Sequence, residues 1–451
     1  MNAKNTSLRK NLLPSVLALS VMAAWSGIAL AQADAGGAAP AGSASEAAAG
    51  GASGNVAVSP SGLSEPTRGV YYRLSQSLRF EDNLFRRGND QEDSDMVSTT
   101  SATVGTRLFL SRQVLNAEAT VLRHMYRDND QLDGNGYRLN TRLQWEIGSN
   151  WAGKVQAGVT RDQVPLDQLV DAIGGGTVVR EQRNQESTRY LNFDARYGLF
   201  AAWSLDAFGD LTSVDYSIDS AGLRERDTRQ IGVGVRYKPS PALTLGVRTS
   251  YTDGEYPDDD YDRKDLSFTV NYLPGDRLSL RGNISYTDEQ HDNITARDFS
   301  GLTGSFNATY ALTSKINLEG GFSRQTNSGA TASERIGAGT PPGGTPVLDP
   351  NLSFLSDARV TNTLDFGATW AATSKIAVRG KVSYSREDLD RTLAGTDETT
   401  TIRRASLNAS WAVHRIVGLS CELSHAQRDA VANTRSYSAN TFGCTASVAL
   451  E

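Results

Sequence analysis

Apolar and polar residues alternate one by one through most of this chain. One segment places Val378 and Val382 on one face and Arg379 and Lys381 on the other. An alternation of period two is typical of a β-strand with one apolar and one polar face. Its repetition predicts an all-β fold for residues 70–451.

The breaks between the alternating segments are short and long in turn. Short breaks include 111–113 and 373–374, whereas 255–260 and 289–293 are long and acidic. Outer-membrane barrels have tight periplasmic turns and longer extracellular loops. We therefore predict a transmembrane antiparallel up-and-down β-barrel of about eighteen strands, with both ends on the periplasmic side. The expected strands span 70–80, 96–110, 114–126, 136–147, 152–163, 186–199, 203–216, 226–237, 242–253, 263–273, 277–288, 299–311, 315–327, 360–371, 375–386, 399–413, 417–428 and 435–450.

A soluble β-sandwich, a solenoid and a propeller are the alternatives. The aromatic residues favour the barrel, because most lie near strand ends, where membrane barrels carry their interfacial girdles. The residues beside short turns are Trp145, Tyr197, Trp203, Tyr237, Tyr272, Tyr310, Trp370 and Trp411, and those toward long loops are Tyr126, Tyr251, Tyr286 and Tyr384.

The first 31 residues are predicted to be a secretory signal peptide. Lys4, Arg9 and Lys10 precede an apolar core, and Ala29-Leu30-Ala31 fits a small-residue cleavage site. A transmembrane anchor is the alternative. Residues 32–69, rich in Ala, Gly and Ser, are predicted to be a disordered periplasmic tether, or a segment that folds on a partner. Residues 70–451 form the barrel, and the expected location is the cell outer membrane.

Charged residues on the polar face are expected to point into the barrel. A charge on the lipid face near the bilayer centre costs roughly 2–4 kcal/mol for Arg or Lys. Sixteen- to eighteen-stranded barrels leave an aqueous channel, although the long loops 81–95, 164–185 and 328–359 are able to narrow it. The candidate lumen-lining residues are Arg107, Arg138, Arg142, Asp194, Arg196, Arg236, Arg248, Arg281, Asp365, Arg379 and Lys381. The alternative is that these residues only pair with each other and hydrate the lumen.

Cys421 and Cys444 are the two cysteines of the chain. They fall on the last two strands at outward-facing positions, and a hairpin centred between Ala432 and Asn433 sets them opposite each other. Opposed cross-strand positions lie within reach of a disulfide, and the periplasm is oxidising. We predict a disulfide, with two free thiols facing lipid as the alternative.

Catalytic and cofactor motifs are not apparent. The four histidines have no metal-ligand spacing, and no Ser/His/Asp order suggests a triad. The formal charge of −6 gives no basic footprint for nucleic acid. We therefore expect no enzyme activity, no cofactor, no metal and no nucleic-acid partner.

The first predicted strand runs into an Asp82-Asn83-Leu84-Phe85-Arg86 loop. This opening and the regular strands after it resemble a family of β-barrel porins, over residues 69–451. The nearest resemblance is to the EpsL-type outer-membrane proteins associated with exopolysaccharide synthesis. Such barrels usually end in an aromatic residue that the barrel-assembly machinery reads, whereas this chain ends Val448-Ala449-Leu450-Glu451.

The resemblance implies a channel for exopolysaccharide biosynthesis or export. Its expected partners are outer-membrane lipid, the barrel-assembly machinery, exopolysaccharide and periplasmic secretion components. A general or nutrient-uptake porin is the first alternative. A plugged barrel that scaffolds a polysaccharide-secretion complex is the second.

Overall fold

The structure, a computed structural model, describes residues 69–88, 91–164, 166, 170–173, 176–179, 182–218, 225–257, 259–293, 298–326, 358–391, 396–430 and 436–450. The predicted signal peptide, almost all of the predicted tether, and residues 328–357 of the third long loop lie outside these ranges. Among the described residues, no helix is long and apolar enough to cross a membrane, a finding that does not bear on spanning by strands.

Twenty strands and one 3₁₀ turn, Asp130–Leu132, make up the described secondary structure. The strands are β1 (Gly69–Glu81), β2 (Asp95–Leu110), β3 (Gln113–Tyr126), β4 (Gly134–Ile147), β5 (Trp151–Gln163), β6 (Val170–Ile173), β7 (Gly176–Val179), β8 (Gln185–Tyr197), β9 (Trp203–Tyr216), β10 (Arg226–Ser240), β11 (Leu243–Glu255), β12 (Asp260–Tyr272), β13 (Leu278–His291), β14 (Phe299–Ala311), β15 (Ile316–Gln325), β16 (Ala358–Ala371), β17 (Ile376–Arg391), β18 (Thr396–His414), β19 (Val417–Ala430) and β20 (Tyr437–Leu450).

Eighteen of these strands form one closed antiparallel barrel. Each barrel strand pairs with its neighbours along the chain, and β1 pairs with both β2 and β20, which closes the sheet. Closure leaves no edge strand, so every strand finds hydrogen-bonding partners within the sheet. The predicted eighteen-stranded barrel is confirmed. The short hairpin β6–β7 lies within the long loop 164–185 and forms a separate two-stranded sheet.

The outer face of the barrel is apolar, as the alternation predicts. On β12, Leu266, Phe268 and Tyr272 are exposed outward, and Leu364 and Phe366 repeat the pattern on β16. An outward apolar band is the signature of a membrane-spanning barrel. Polar side chains occupy the intervening positions and face the interior.

The turn residues explain the short periplasmic connections. Thr313 Oγ1 accepts hydrogen bonds from the backbone N–H of Lys315, at 3.1 Å, and of Ile316, at 3.0 Å. Thr373 accepts the equivalent pair at the turn between β16 and β17. Threonine thereby satisfies turn N–H groups that no strand partner reaches.

Candidate functional site

A row of side chains on the inner wall crosses four strands and forms the most concentrated charged cluster near the periplasmic end. Arg196 of β8 is opposite Asp206 of β9, which is opposite Gly234 of β10, which is opposite Arg248 of β11. Arg236 lies two positions from Gly234 on the same face of β10. We call Asp206, Arg196, Arg236 and Arg248 the arginine cluster.

One carboxylate in the arginine cluster serves three guanidinium groups. Asp206 Oδ1 accepts from Arg196 Nε at 3.0 Å, and its Oδ2 accepts from Arg236 Nε at 2.5 Å. The guanidinium of Arg248 lies 3.5 Å from Oδ2. The Asp206 side chain is fully buried, whereas the three arginines retain 13–28% exposure toward the lumen. The cluster therefore carries two surplus positive charges, with guanidinium groups that reach water.

Gly234 explains how Arg248 reaches across a whole strand. A Cβ atom at this position would lie 2.6 Å from Arg248 Cγ, closer than real contacts allow. The missing side chain leaves the space over β10 through which Arg248 passes to Asp206. In the sequence, the only indication of this close approach is a glycine within an alternating strand.

A second charged group lies on β15 to β17. Arg379 Nε donates to Glu319 Oε1 at 3.1 Å, and both side chains are substantially exposed to the lumen. Asp365 is opposite Gly321, and Lys381 is opposite Gly367. Glycines again make room, because a Cβ at 321 would lie 2.7 Å from Asp365 Oδ1 and one at 367 would lie 2.5 Å from Glu319 Oε1.

The remaining predicted lumen residues also share the inner face but not these two groups. Arg138 pairs with Asp162 toward the extracellular end. Arg107 stacks on Phe109, with 5.4 Å from guanidinium carbon to ring centroid. The others occupy inner-wall positions opposite polar side chains: Arg142 is opposite Asn116, Asp194 is opposite Lys154, and Arg281 is opposite Asn271.

The described inner wall is positively charged between the two aromatic girdles. Its side chains there include twelve basic and eight acidic ones, whereas the whole chain is at −6. The basic ones are Arg73, Arg107, Arg138, Arg142, Lys154, Arg196, Arg236, Arg248, Arg281, Arg379, Lys381 and Arg404, and the acidic ones are Glu118, Asp194, Asp206, Asp210, Asp265, Glu319, Asp365 and Glu422. A balance of four positive charges in a water-filled lumen attracts anions and repels cations.

Residues of three loops form a hydrophobic cluster at one end of the barrel that the sequence pattern did not reveal. Leu84 and Phe85 of the first loop, Leu132 of the second and Val164 and Leu166 of the third pack together, with Val97 and Tyr126 from the strands below. We call this set the cap cluster. Phe85 and Leu132 are completely buried. Loops that bury an apolar core of their own are ordered without a ligand.

Tyr126 was expected in the extracellular girdle, and this expectation is wrong. Its parity on β3 points it inward, where it is 8% exposed within the cap cluster. Tyr251, Tyr286 and Tyr384 do face outward. Trp151, absent from the expected set, packs on Tyr197 in the periplasmic girdle, with ring centroids 4.9 Å apart.

A buried ionic network lies beyond the girdle, at the extracellular ends of β12 and β13. His291 Nδ1 is 2.7 Å from Asp259 Oδ2, and its Nε2 is 3.2 Å from Glu289 Oε1. His291 is five positions past Tyr286 and so outside the membrane-spanning part. Burial lowers the pKa of His291, but its hydrogen bonds with Glu289 and Asp259 outweigh burial and raise this pKa above 6.5.

The two cysteines are directly opposite each other on β19 and β20. Their Sγ atoms lie at bonding distance, 2.14 Å, and their Cα atoms are 4.1 Å apart. Both share the outward parity of Leu419 and Leu423. Among the described residues, no group of three or more His, Cys, Asp or Glu side chains is placed to hold a metal ion.

Comparison with known proteins identifies the fold. No protein-family model matches the chain, and no curated protein matches it. The crystal structure of the outer-membrane protein OpdK from Pseudomonas aeruginosa matches with a TM-score of 0.50 and 13% identity, over 84% of this chain and 99% of that one. OpdK with vanillate matches with a TM-score of 0.50 and 12% identity, over the same shares. OccAB3 from Acinetobacter baumannii matches with a TM-score of 0.47 and 11% identity, over 85% and 99%.

These similarities support the porin fold and do not support the exopolysaccharide assignment. Because these structures are at most 13% identical to the chain, they are evidence for its architecture alone. The described chain combines a closed eighteen-stranded barrel, an apolar outer face and a charged inner wall. The protein therefore has the fold of an outer-membrane porin, and its barrel lies in the outer membrane.

Proposed function

We propose that this protein is an uptake channel for small anionic solutes, in particular carboxylates. The observation that carries the proposal is the positive inner wall, concentrated in the arginine cluster. Guanidinium groups bind carboxylates through paired N–H donors. A lumen lined by them raises the local concentration of anions and lowers that of cations.

The architecture agrees with this proposal. OpdK, which shares the fold, has been crystallised with vanillate, a small carboxylate. The exopolysaccharide channel expected from the sequence resemblance gains no support of this kind, so uptake is the better-supported function.

Reconstitution in planar bilayers tests the proposal. We expect discrete conductance steps and a reversal potential on the anion-selective side in a potassium chloride gradient. Liposome swelling should be faster with a monocarboxylate than with a neutral solute of equal size. The variant Arg379→Gln/Lys381→Gln, which leaves Asp206 paired, should lose part of the anion selectivity. An electrically silent barrel would support the plugged scaffold instead, and a cation-selective pore would refute the charge argument.

Polysaccharide secretion by a deletion strain distinguishes the uptake channel from the remaining alternative, a channel for exopolysaccharide export. An uptake channel predicts normal extracellular polysaccharide and slower growth on a carboxylate as the carbon source. Loss of the polysaccharide with unchanged carboxylate growth would overturn the uptake proposal in favour of export.

A further inference from the structure

The seam of the barrel, where β1 pairs with β20, joins the two ends of the sheet without a connecting segment between these strands. The other sixteen barrel strands are joined in eight hairpins by short periplasmic turns of two to five residues. A short turn fixes the register of the two strands that it joins. Since β1 and β20 share no turn, contacts between them have to set the register of the seam.

The alternation of apolar and polar residues restricts this register only in part. A slip by one residue would turn the apolar face of β20 inward, but a slip by two residues restores both faces. The inner faces along the seam are also alike, because Ser75 is opposite Ser447 and Ser77 is opposite Thr445. A slip by two residues would again set one hydroxyl residue opposite another. The pattern along the two strands therefore does not exclude such a slip.

Asp82 contacts one residue of β20 at the extracellular end of the seam. It follows the last pair of the ladder, Glu81 opposite Thr441, and its backbone N–H donates to the carbonyl oxygen of Asn440 at 3.1 Å. Its carboxylate accepts from the backbone N–H of Asn440 at 2.7 Å and from Asn440 Nδ2 at 2.6 Å. Asn440 Oδ1 lies 2.9 Å from Nδ1 of His425, which is opposite it on β19. The amide of Asn440 thereby links β1, β20 and β19.

Asn83 adds a second contact across the seam. Its Nδ2 donates to the carbonyl oxygen of Ser438 at 3.0 Å and to that of Arg87 at 2.7 Å, and its Oδ1 accepts from the backbone N–H of Arg87 at 2.8 Å. The side chain of Asn83 is completely buried. A buried amide that loses a partner destabilises the fold. We call Asp82, Asn83 and Asn440 the seam clasp.

A slip by two residues would break the seam clasp. Asp82 would then be opposite either Phe442, which has no side-chain donor, or Ser438, which has a single hydroxyl. Its carboxylate would lose the amide of Asn440, and hydrogen bonds to a charged group are roughly twice as strong as neutral ones. Asn83 would lose the carbonyl of Ser438 while its side chain stays buried. The contacts of the clasp therefore distinguish registers that the alternation does not.

We propose that the seam clasp selects the register in which the barrel closes and holds the extracellular end of the seam shut. Leu84 and Phe85 directly follow the clasp and enter the cap cluster. Arg86 turns back, with its Nη2 3.1 Å from Glu81 Oε2. The motif from Asp82 to Arg86 thus joins closure of the barrel to the order of its first loop. This role concerns the wall and does not depend on what passes through the lumen.

Hydrogen exchange of the full chain, folded in detergent and measured by mass spectrometry of its peptides, tests the proposal. The test variant is Asp82→Ala/Asn83→Ala. The matched control is Asp292→Ala/Asn293→Ala, because the same dipeptide follows β13, which a short turn joins to β12. A swapped variant, Asp82→Asn/Asn440→Asp, keeps a carboxylate against an amide across the seam.

The test variant should exchange at least tenfold faster than wild type in residues 76–82 and 438–444. The control should stay within threefold of wild type in both segments, and the swapped variant should recover most of the protection. Equal exchange by the test variant and the control would overturn the proposal. A uniform rise in all eighteen barrel strands would also overturn it, because the clasp would then contribute to general stability and not to the seam.

Cross-linking measures the register itself and also covers a test variant that does not fold. In a Cys421→Ala/Cys444→Ala background, the pair Ser77→Cys/Thr445→Cys reports the native register and Ser77→Cys/Ser447→Cys reports a slip by two residues. With the clasp intact, only the first pair should form a disulfide, whereas the test substitutions should allow the second as well. If the test variant does not fold, oxidation of the first pair should restore folding. A seam that keeps its native register without the clasp, or no rescue by the cross-link, would contradict the proposal.

Discussion

Replacing Asp206 by Asn tests the arginine cluster through both stability and ion selectivity. The substitution keeps the shape of the side chain and removes the charge that holds three guanidinium groups. Asp206 is fully buried, and two of its contacts are short hydrogen bonds from charged donors, at 2.5 and 3.0 Å.

The magnitude follows from those contacts. Hydrogen bonds to charged groups contribute roughly 1.5–3 kcal/mol each, and breaking a buried ion pair costs roughly 3–5 kcal/mol. The arginines regain water from the lumen, and the amide retains one acceptor, so the loss is smaller than the sum. We expect Asp206→Asn to lower the free energy of unfolding by about 2 kcal/mol.

Urea unfolding followed by tryptophan fluorescence measures the stability, and the reversal potential in a salt gradient measures selectivity. Glu422→Gln is the control, because Glu422 is exposed on the inner wall. Both variants should shift selectivity toward anions, but the control should change stability by less than about 0.5 kcal/mol. If Asp206→Asn unfolds at the same urea concentration as the control, the arginine cluster is not formed as described.

Four further predictions concern other parts of the barrel. Gly234→Ala should displace the guanidinium that crosses β10 and reduce anion selectivity, whereas a selectivity equal to wild type would contradict the close contact at 2.6 Å. Phe85→Ala removes a completely buried ring from the cap cluster and should cost about 3 kcal/mol of local stability, measured as faster hydrogen exchange in the first loop. Mass mapping without reduction should recover Cys421 and Cys444 in one linked peptide pair, and free thiols in the folded protein would refute the disulfide. The pKa of folded-state His291 is raised above 6.5, so its protonated form stabilises the fold fully below pH 6.5. This stabilisation is lost as the pH rises through the raised pKa, and the melting temperature should fall over the same range. The variant His291→Gln should make the melting temperature depend less on pH.

The sequence alone was sufficient for the barrel. A period-two alternation makes one face of a strand apolar and the other polar. Leu266 and Phe268 therefore face lipid, whereas Ser267 between them faces the water-filled interior. Short and long breaks then set the up-and-down order. These features are local, and neighbouring strands pair in chain order, so no distant contact was needed to infer them.

The charged groups of the inner wall depended on the tertiary structure. The alternation along each strand showed that these residues face inward. Which arginine pairs with which carboxylate depends on the register between strands and on glycines such as Gly234 that leave space for a long side chain. Arg248 and Asp206 lie two strands apart and are joined only because the glycine between them lacks a side chain. The girdle prediction for Tyr126 was wrong because it used the residue's position near the strand end and not its parity, which is unbroken along β3 and points the side chain inward.

The alternation of residues therefore determined the class of protein and the two environments that its faces meet, because a strand turns each successive side chain to the opposite side. Closure of the sheet and the tilt of its strands decided the rest. They brought three arginines onto one carboxylate and folded three loops into the cap cluster. Each of these arrangements joins residues far apart in the chain, and the pattern along a single strand carries no information about the neighbour against which it lies.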